Sequence, residues 1–145
     1  MQGLFKIKDR LALQVTSQKH SLRKMLAQRG VMASKGHLII QQLLLMYTEL
    51  KNAKVVARTL APQTIYVDEK CEKMALTDIS ALAFHHEPVY YQPVAKMPYN
   101  HSELDVHPLT NLTSPDWDRW SVAVMILEVI SGSDLVLLLK TYDDV

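Results

Sequence analysis

The chain has 145 residues, a formal net charge of +1 and 48% hydrophobic residues, enough apolar material for one compact domain or one piece of a larger one. So balanced a charge argues against nucleic-acid and anionic-membrane partners, whose recognition rests on a basic surplus. The single cysteine, Cys71, excludes an internal disulfide and fits a reducing, intracellular setting, cytoplasmic or cytoskeletal.

Residues 4–7 and 11–15 read as short strands around the turn Lys8-Asp9-Arg10. A short helix is expected over residues 21–29, with Leu22, Met25 and Leu26 on one face, Lys19, Arg23, Lys24 and Arg29 on a solvated side, and Gly30 as its stop. The strongest helical pattern spans residues 34–51. Leu38, Ile39, Leu45 and Met46 keep the helical period, and Ile40, Leu43, Leu44, Tyr47 and Leu50 add apolar positions on other faces, so a largely buried core helix is expected. Val55-Val56 then leads into a loop, and residues 65–67 and 74–76 read as a hairpin around the polar turn 68–73.

From residue 85 to 114 no period holds, and five of the six prolines fall between Pro88 and Pro115, which marks a long irregular segment. A second buried helix begins at Ser114-Pro115, with serine as N-cap, proline in the first turn and Asp116 and Asp118 at the positive end of the dipole. It runs through Trp117, Trp120, Val124, Leu127 and Ile130 to Gly132, and residues 133–140 start one more short helix. Its apolar tract, residues 122–130, is interrupted by Glu128 and falls well short of the roughly 20 residues of a membrane span. No secretory signal opens the chain, so Asn100-His101-Ser102 and Asn111-Leu112-Thr113 are read as chance matches to the glycosylation pattern.

Two stretches carry the chemistry. Ala57-Arg58-Thr59-Leu60-Ala61-Pro62-Gln63-Thr64 resembles the protein-kinase catalytic loop H-R-D-L-x-x-x-N, and Asp78-Ile79-Ser80 resembles the D-F-G turn that follows it. A third block, Asp118, Trp120, Ser121, Glu128 and Gly132, is similar to the central helix of the kinase large lobe, with Ala123 in place of its usual glycine. The resemblance implies an α+β, mainly helical fold: one kinase-like C-terminal lobe over residues 1–145, with residues 1–15 resembling the hinge strands. It covers about Leu11 to Gly132, and no glycine-rich phosphate loop or V-A-I-K lysine accompanies it. That leaves either a piece of a longer protein or a naturally reduced relic.

Phosphoryl transfer in that family needs an aspartate to orient the hydroxyl, with an asparagine and a second aspartate on magnesium. Under the resemblance, the aspartate position is Thr59, whose hydroxyl is no base at neutral pH. The phosphate-contacting lysine position is Ala61, and the metal-binding asparagine position is Thr64, a poor ligand for a hard cation. Only Asp78 keeps its residue type, and it is read as a turn residue. Ala57 and Ile79 are packing substitutions for histidine and phenylalanine. Arg58 is implied to be a structural brace, the alternative being a pair with a phosphate on Ser80, Tyr90, Tyr91 or Ser102. Asp118 is implied to accept hydrogen bonds from the loop backbone, Trp120 to be structural, and Glu103 is left open. His85-His86 beside Glu87 does not make a zinc site, since neighbours on an extended chain point apart.

These readings predict a catalytically inactive kinase-like module without cofactor, metal or ordinary ATP affinity, which serves protein–protein contact, self-association included, in a larger assembly. The competing expectation is a fragment of a divergent serine/threonine kinase whose nucleotide-binding lobe lies outside this chain.

Overall fold

The computed structural model describes residues 20–88, 98–100 and 112–135, apart from the side chains of 29, 31 and 32, and the backbone of residues 3–7 and 10–14. Strands β1 (Gly3–Ile7) and β2 (Arg10–Gln14) pair antiparallel from Gly3 opposite Gln14 to Ile7 opposite Arg10, as the strand-turn-strand pattern predicts.

Helix α1 (Leu22–Leu26) is shorter than its expected span of 21–29. Ser21 caps it, accepting the Lys24 N–H, and the helix already stops at Ala27. Gln28 then sits in an extended conformation (φ −97°, ψ 90°), which breaks the helical path before helix α2 (Arg29–Asn52) starts. Gly30 is therefore not a stop but lies in the first turn of α2. A glycine is tolerated there because first-turn N–H groups have no intrahelical partner in any case.

Ile39, Leu43 and Met46 line the buried face of α2 and pack in the same core as Val122, Met125 and Val129 of helix α3 (Pro115–Ser131). The expectation of a largely buried helix is corrected: Leu44 and Leu45 are each about half exposed, because one flat interface covers only part of a helix circumference. Helix α3 matches its predicted ends. The Ser114 hydroxyl accepts the Asp116 N–H, Pro115 opens the first turn, and Gly132 closes it at φ +64°, where a side chain would be strained.

One two-residue and one three-residue strand pair fix the loops around these helices. Strand β4 (Ile65–Val67) pairs with β5 (Met74–Leu76), with Ile65 opposite Leu76, which is the expected hairpin. Strand β3 (Val55–Val56) pairs with β6 (Ala83–Phe84), a ladder too short to leave a sequence pattern. Ile65 and Val67 are fully buried against the helices, so the hairpin closes one side of the core. Tyr90, Tyr91, Ser102, Glu103 and residues 136–140 of the expected last helix lie outside the described residues. Among the described residues, no helix is long and apolar enough to cross a membrane.

Candidate functional site: the 57–64 loop and its buried aspartate

The loop between β3 and β4 is held from α3. Asp118, 2% exposed on the first turns of that helix, aims its carboxylate at the loop backbone. Its Oδ2 accepts the Ala57 N–H at 2.6 Å and its Oδ1 accepts the Arg58 N–H at 2.9 Å. Buried backbone donors need such partners, and a carboxylate is the strongest acceptor a side chain offers. Burial pushes the Asp118 carboxyl up to about 6, against the opposing pull of these two N–H groups and of the Arg58 charge.

Arg58 itself adopts φ +66°, a left-handed conformation that only its surroundings can impose on a non-glycine residue. The residue is buried, and that burial lowers its pKa while the nearby Asp118 charge raises it. The two residues form one unit: Asp118 fixes the backbone of the position whose guanidinium compensates its charge.

Beyond Arg58 the loop is tied internally. The Thr59 hydroxyl, on a buried residue, donates to the Asp78 backbone carbonyl at 2.9 Å, so the turn resembling D-F-G is joined directly to the loop resembling H-R-D. The Thr64 hydroxyl accepts the Ala61 N–H at 3.1 Å and directs its proton toward the carbonyls of Thr59 (2.7 Å) and Ala61 (2.9 Å). Ala61 and Leu60 are fully buried. The Pro62 carbonyl accepts the Arg23 N–H at 2.9 Å, which anchors the loop to α1. Asp78 makes a local turn: one carboxylate oxygen accepts both the Ser80 N–H (3.0 Å) and the Ser80 hydroxyl (2.6 Å). Ile79 beside it is 37% exposed.

The structure thus brings Ala57, Arg58, Thr59, Ala61, Thr64, Asp78 and Asp118 into one connected cluster. Trp120 stands apart from it, 44% exposed, with its indole N–H donating to the Pro98 carbonyl at 3.0 Å. Chemically the cluster offers one half-exposed carboxylate, on Asp78, and threonine hydroxyls engaged with backbone carbonyls. Among the described residues, no group of three His, Cys, Asp or Glu side chains is placed to hold a metal ion.

A second polar cluster lies where the sequence predicts a solvated basic face. Arg23 turns inward from α1, with Nη1 3.3 Å from Glu128 Oε1 and 3.2 Å from Asp134 Oδ2. Its other terminal nitrogen donates to the Tyr99 hydroxyl, which donates in turn to Glu128 Oε1 at 2.8 Å. Glu128 is 2% exposed, so it needs a cation, and Arg23 supplies it. Burial opposes the Arg23 charge, but Glu128, Tyr99 and Asp134 together outweigh it and raise the Arg23 pKa. Burial first, and then the bond to Glu128, push the Tyr99 hydroxyl up as well. The sequence carried half the signal: a lone glutamate in an apolar helix demands a partner, yet nothing local says which basic residue supplies it.

No family model matches the chain, and no curated protein matches it. The solved structure of the Cydia pomonella granulovirus kinase is similar to it, with a TM-score of 0.70 and 14% sequence identity over 90% of this chain and 48% of that kinase chain. At that identity the likeness speaks for the fold alone. The chain has a kinase-like fold and spans about half the length of the kinase chain it matches.

Proposed function

We propose that this chain is the C-terminal lobe of a pseudokinase, a kinase-like module without phosphoryl-transfer activity that works through contact with proteins. The observation that carries the reading is the pair of threonine hydroxyls. Thr59 and Thr64, at the positions that the resemblance gives to the general base and a magnesium ligand, spend their protons on the carbonyls of Asp78, Thr59 and Ala61. A hydroxyl at neutral pH is no base, and general-base catalysis is worth about 10²–10⁴ in rate. Asp78 alone supplies neither the base nor the full magnesium set. The strongly held parts, Asp118 and the 57–64 backbone, preserve the scaffold instead. One cysteine, buried, suits an intracellular module.

A second reading, a fragment of an active serine/threonine kinase whose nucleotide lobe lies elsewhere, has one observation in its favour: Asp78 keeps a partly exposed carboxylate at the mouth of the loop. Thermal denaturation of the full-length protein with and without magnesium-ATP separates the two, because the second reading places the nucleotide lobe outside this chain. The proposal expects an unchanged melting temperature at millimolar nucleotide; a rise of several degrees that disappears in Asp78→Ala supports the kinase fragment.

A further inference from the structure

Arg23 is engaged on two sides. Its side chain reaches Glu128, Tyr99 and Asp134, while its backbone N–H donates to the Pro62 carbonyl at 2.9 Å. That N–H lies in the first turn of α1, where it has no intrahelical acceptor, so the 57–64 loop supplies the partner it needs. Helix α1 has five residues, too few to hold a helical shape in isolation, so its geometry depends on what grips it. One residue thus joins the loop to the interior polar cluster.

On the far side of that cluster stands the segment 98–100, tied to α3 at three points. The Trp120 indole N–H donates to the Pro98 carbonyl at 3.0 Å, and the Ser121 hydroxyl donates to the Tyr99 carbonyl at 2.6 Å. The Tyr99 hydroxyl donates to Glu128 Oε1 at 2.8 Å. The same Oε1 accepts the Leu135 N–H at 3.1 Å and lies 3.3 Å from Arg23 Nη1. Residues of three segments therefore meet on one oxygen of a side chain that is almost wholly buried. Bonds that share an atom in a dry interior reinforce one another, so loss of one weakens the rest. The Arg23 guanidinium also lies over the Tyr99 ring, 5.9 Å from its centroid.

The 57–64 loop accordingly has two separate anchors. Ala57 and Arg58 hang on Asp118 at the start of α3, and Pro62 hangs on Arg23 and, through it, on Glu128 near the end of α3. The Thr64 hydroxyl closes the loop's second half on the Ala61 N–H and on the Thr59 and Ala61 carbonyls. We propose that Arg23 is a coupling joint, which transmits the position of the 98–100 segment to the second half of this loop. When a bound partner draws Tyr99 away, Arg23 loses an acceptor and the guanidinium shifts toward Asp134, on the more exposed edge of the cluster. The short helix follows its arginine, the bond to Pro62 weakens and residues 61–64 loosen. Ala57 and Arg58 stay in place on their own anchor. The joint works whether or not the chain transfers phosphoryl groups.

Amide hydrogen exchange of the full-length protein, resolved by residue under conditions where local opening sets the rate, tests the joint in wild type and Tyr99→Phe. That substitution keeps the ring beneath the guanidinium and removes only the hydroxyl. The expected result is about tenfold faster exchange at the Arg23, Ala61 and Thr64 amides, the protection that one hydrogen bond confers, with the Ala57 and Arg58 amides unchanged. Ser121→Ala frees the Tyr99 carbonyl without touching Arg23 or the loop. It is expected to give the same pattern, and it stands in for Tyr99→Phe if that variant does not fold. Unchanged protection at Arg23, Ala61 or Thr64 in a folded variant, or acceleration of equal size at Ala57 and Arg58, overturns the proposal.

Discussion

The Asp118 carboxylate accepts the Arg58 N–H at 2.9 Å across 60 positions of sequence, and the Ala57 N–H at 2.6 Å beside it. One side chain on the first turns of α3 thereby sets the path of the whole 57–64 loop, including the left-handed turn at Arg58.

Removing that acceptor strands two buried donors. Hydrogen bonds to a charged group are worth about 1.5–3 kcal/mol each, so Asp118→Ala is expected to lose about 3–5 kcal/mol in urea unfolding. Asp118→Asn keeps one acceptor oxygen and is expected to lose less than half as much. Equal losses in the two variants contradict this assignment of the bonds.

The same carboxyl makes stability depend on pH. Its folded-state pKa of about 6 lies above the ordinary 3.8, so between those values the native chain binds more protons than the unfolded one. The contribution is fully present below about pH 4 and is lost as pH rises through about 6, a span on the order of 2–3 kcal/mol. Asp118→Asn lacks this titration. The stability difference between wild type and Asp118→Asn is therefore expected to move in the variant's favour from pH 4.5 to 7, and a constant difference speaks against the raised pKa.

Arg23 is the nearest cation to a glutamate that is 2% exposed. Arg23→Met leaves that charge without its cation and is expected to cost about 3–5 kcal/mol, the usual penalty for breaking a buried pair from one side. Arg23→Met with Glu128→Leu removes both charges and is expected to recover most of the loss. A double variant no more stable than the single one shows that packing, and not charge, governs this corner.

Cys71 is fully buried, and burial pushes its thiol pKa up. Only the thiolate is nucleophilic, so the native chain is expected to react with a disulfide reagent at least about 100-fold more slowly than the urea-unfolded chain. Rapid modification without unfolding locates the thiol at the surface.

The parts legible in the sequence are those whose chemistry is local. Ser114, Pro115 and Gly132 bound α3 because capping is decided within a few residues, and the β4–β5 hairpin follows from two apolar runs around a polar turn. The Asp118 contact to the loop came through the kinase resemblance, since nothing near Asp118 in sequence points to Ala57 and Arg58. The α1–α2 break was missed because Gln28 leaves the helical region without a side-chain cap to announce it. Arg23 was misread as solvated because a cation on a short helix looks the same whether it faces water or a glutamate 105 positions away. The exposed faces of α2 and α3 were missed for a related reason: an apolar helix shows in its sequence that it avoids water, and not how much neighbouring chain is there to cover it.

The most direct measurement of the central claim is phosphoryl transfer from γ-labelled ATP with magnesium by the full-length protein, to itself and to a general protein substrate, for wild type and Asp78→Ala. With Thr59 and Thr64 spent on backbone carbonyls, the expected result is background labelling in both. Labelling above background in wild type that Asp78→Ala abolishes would contradict the account.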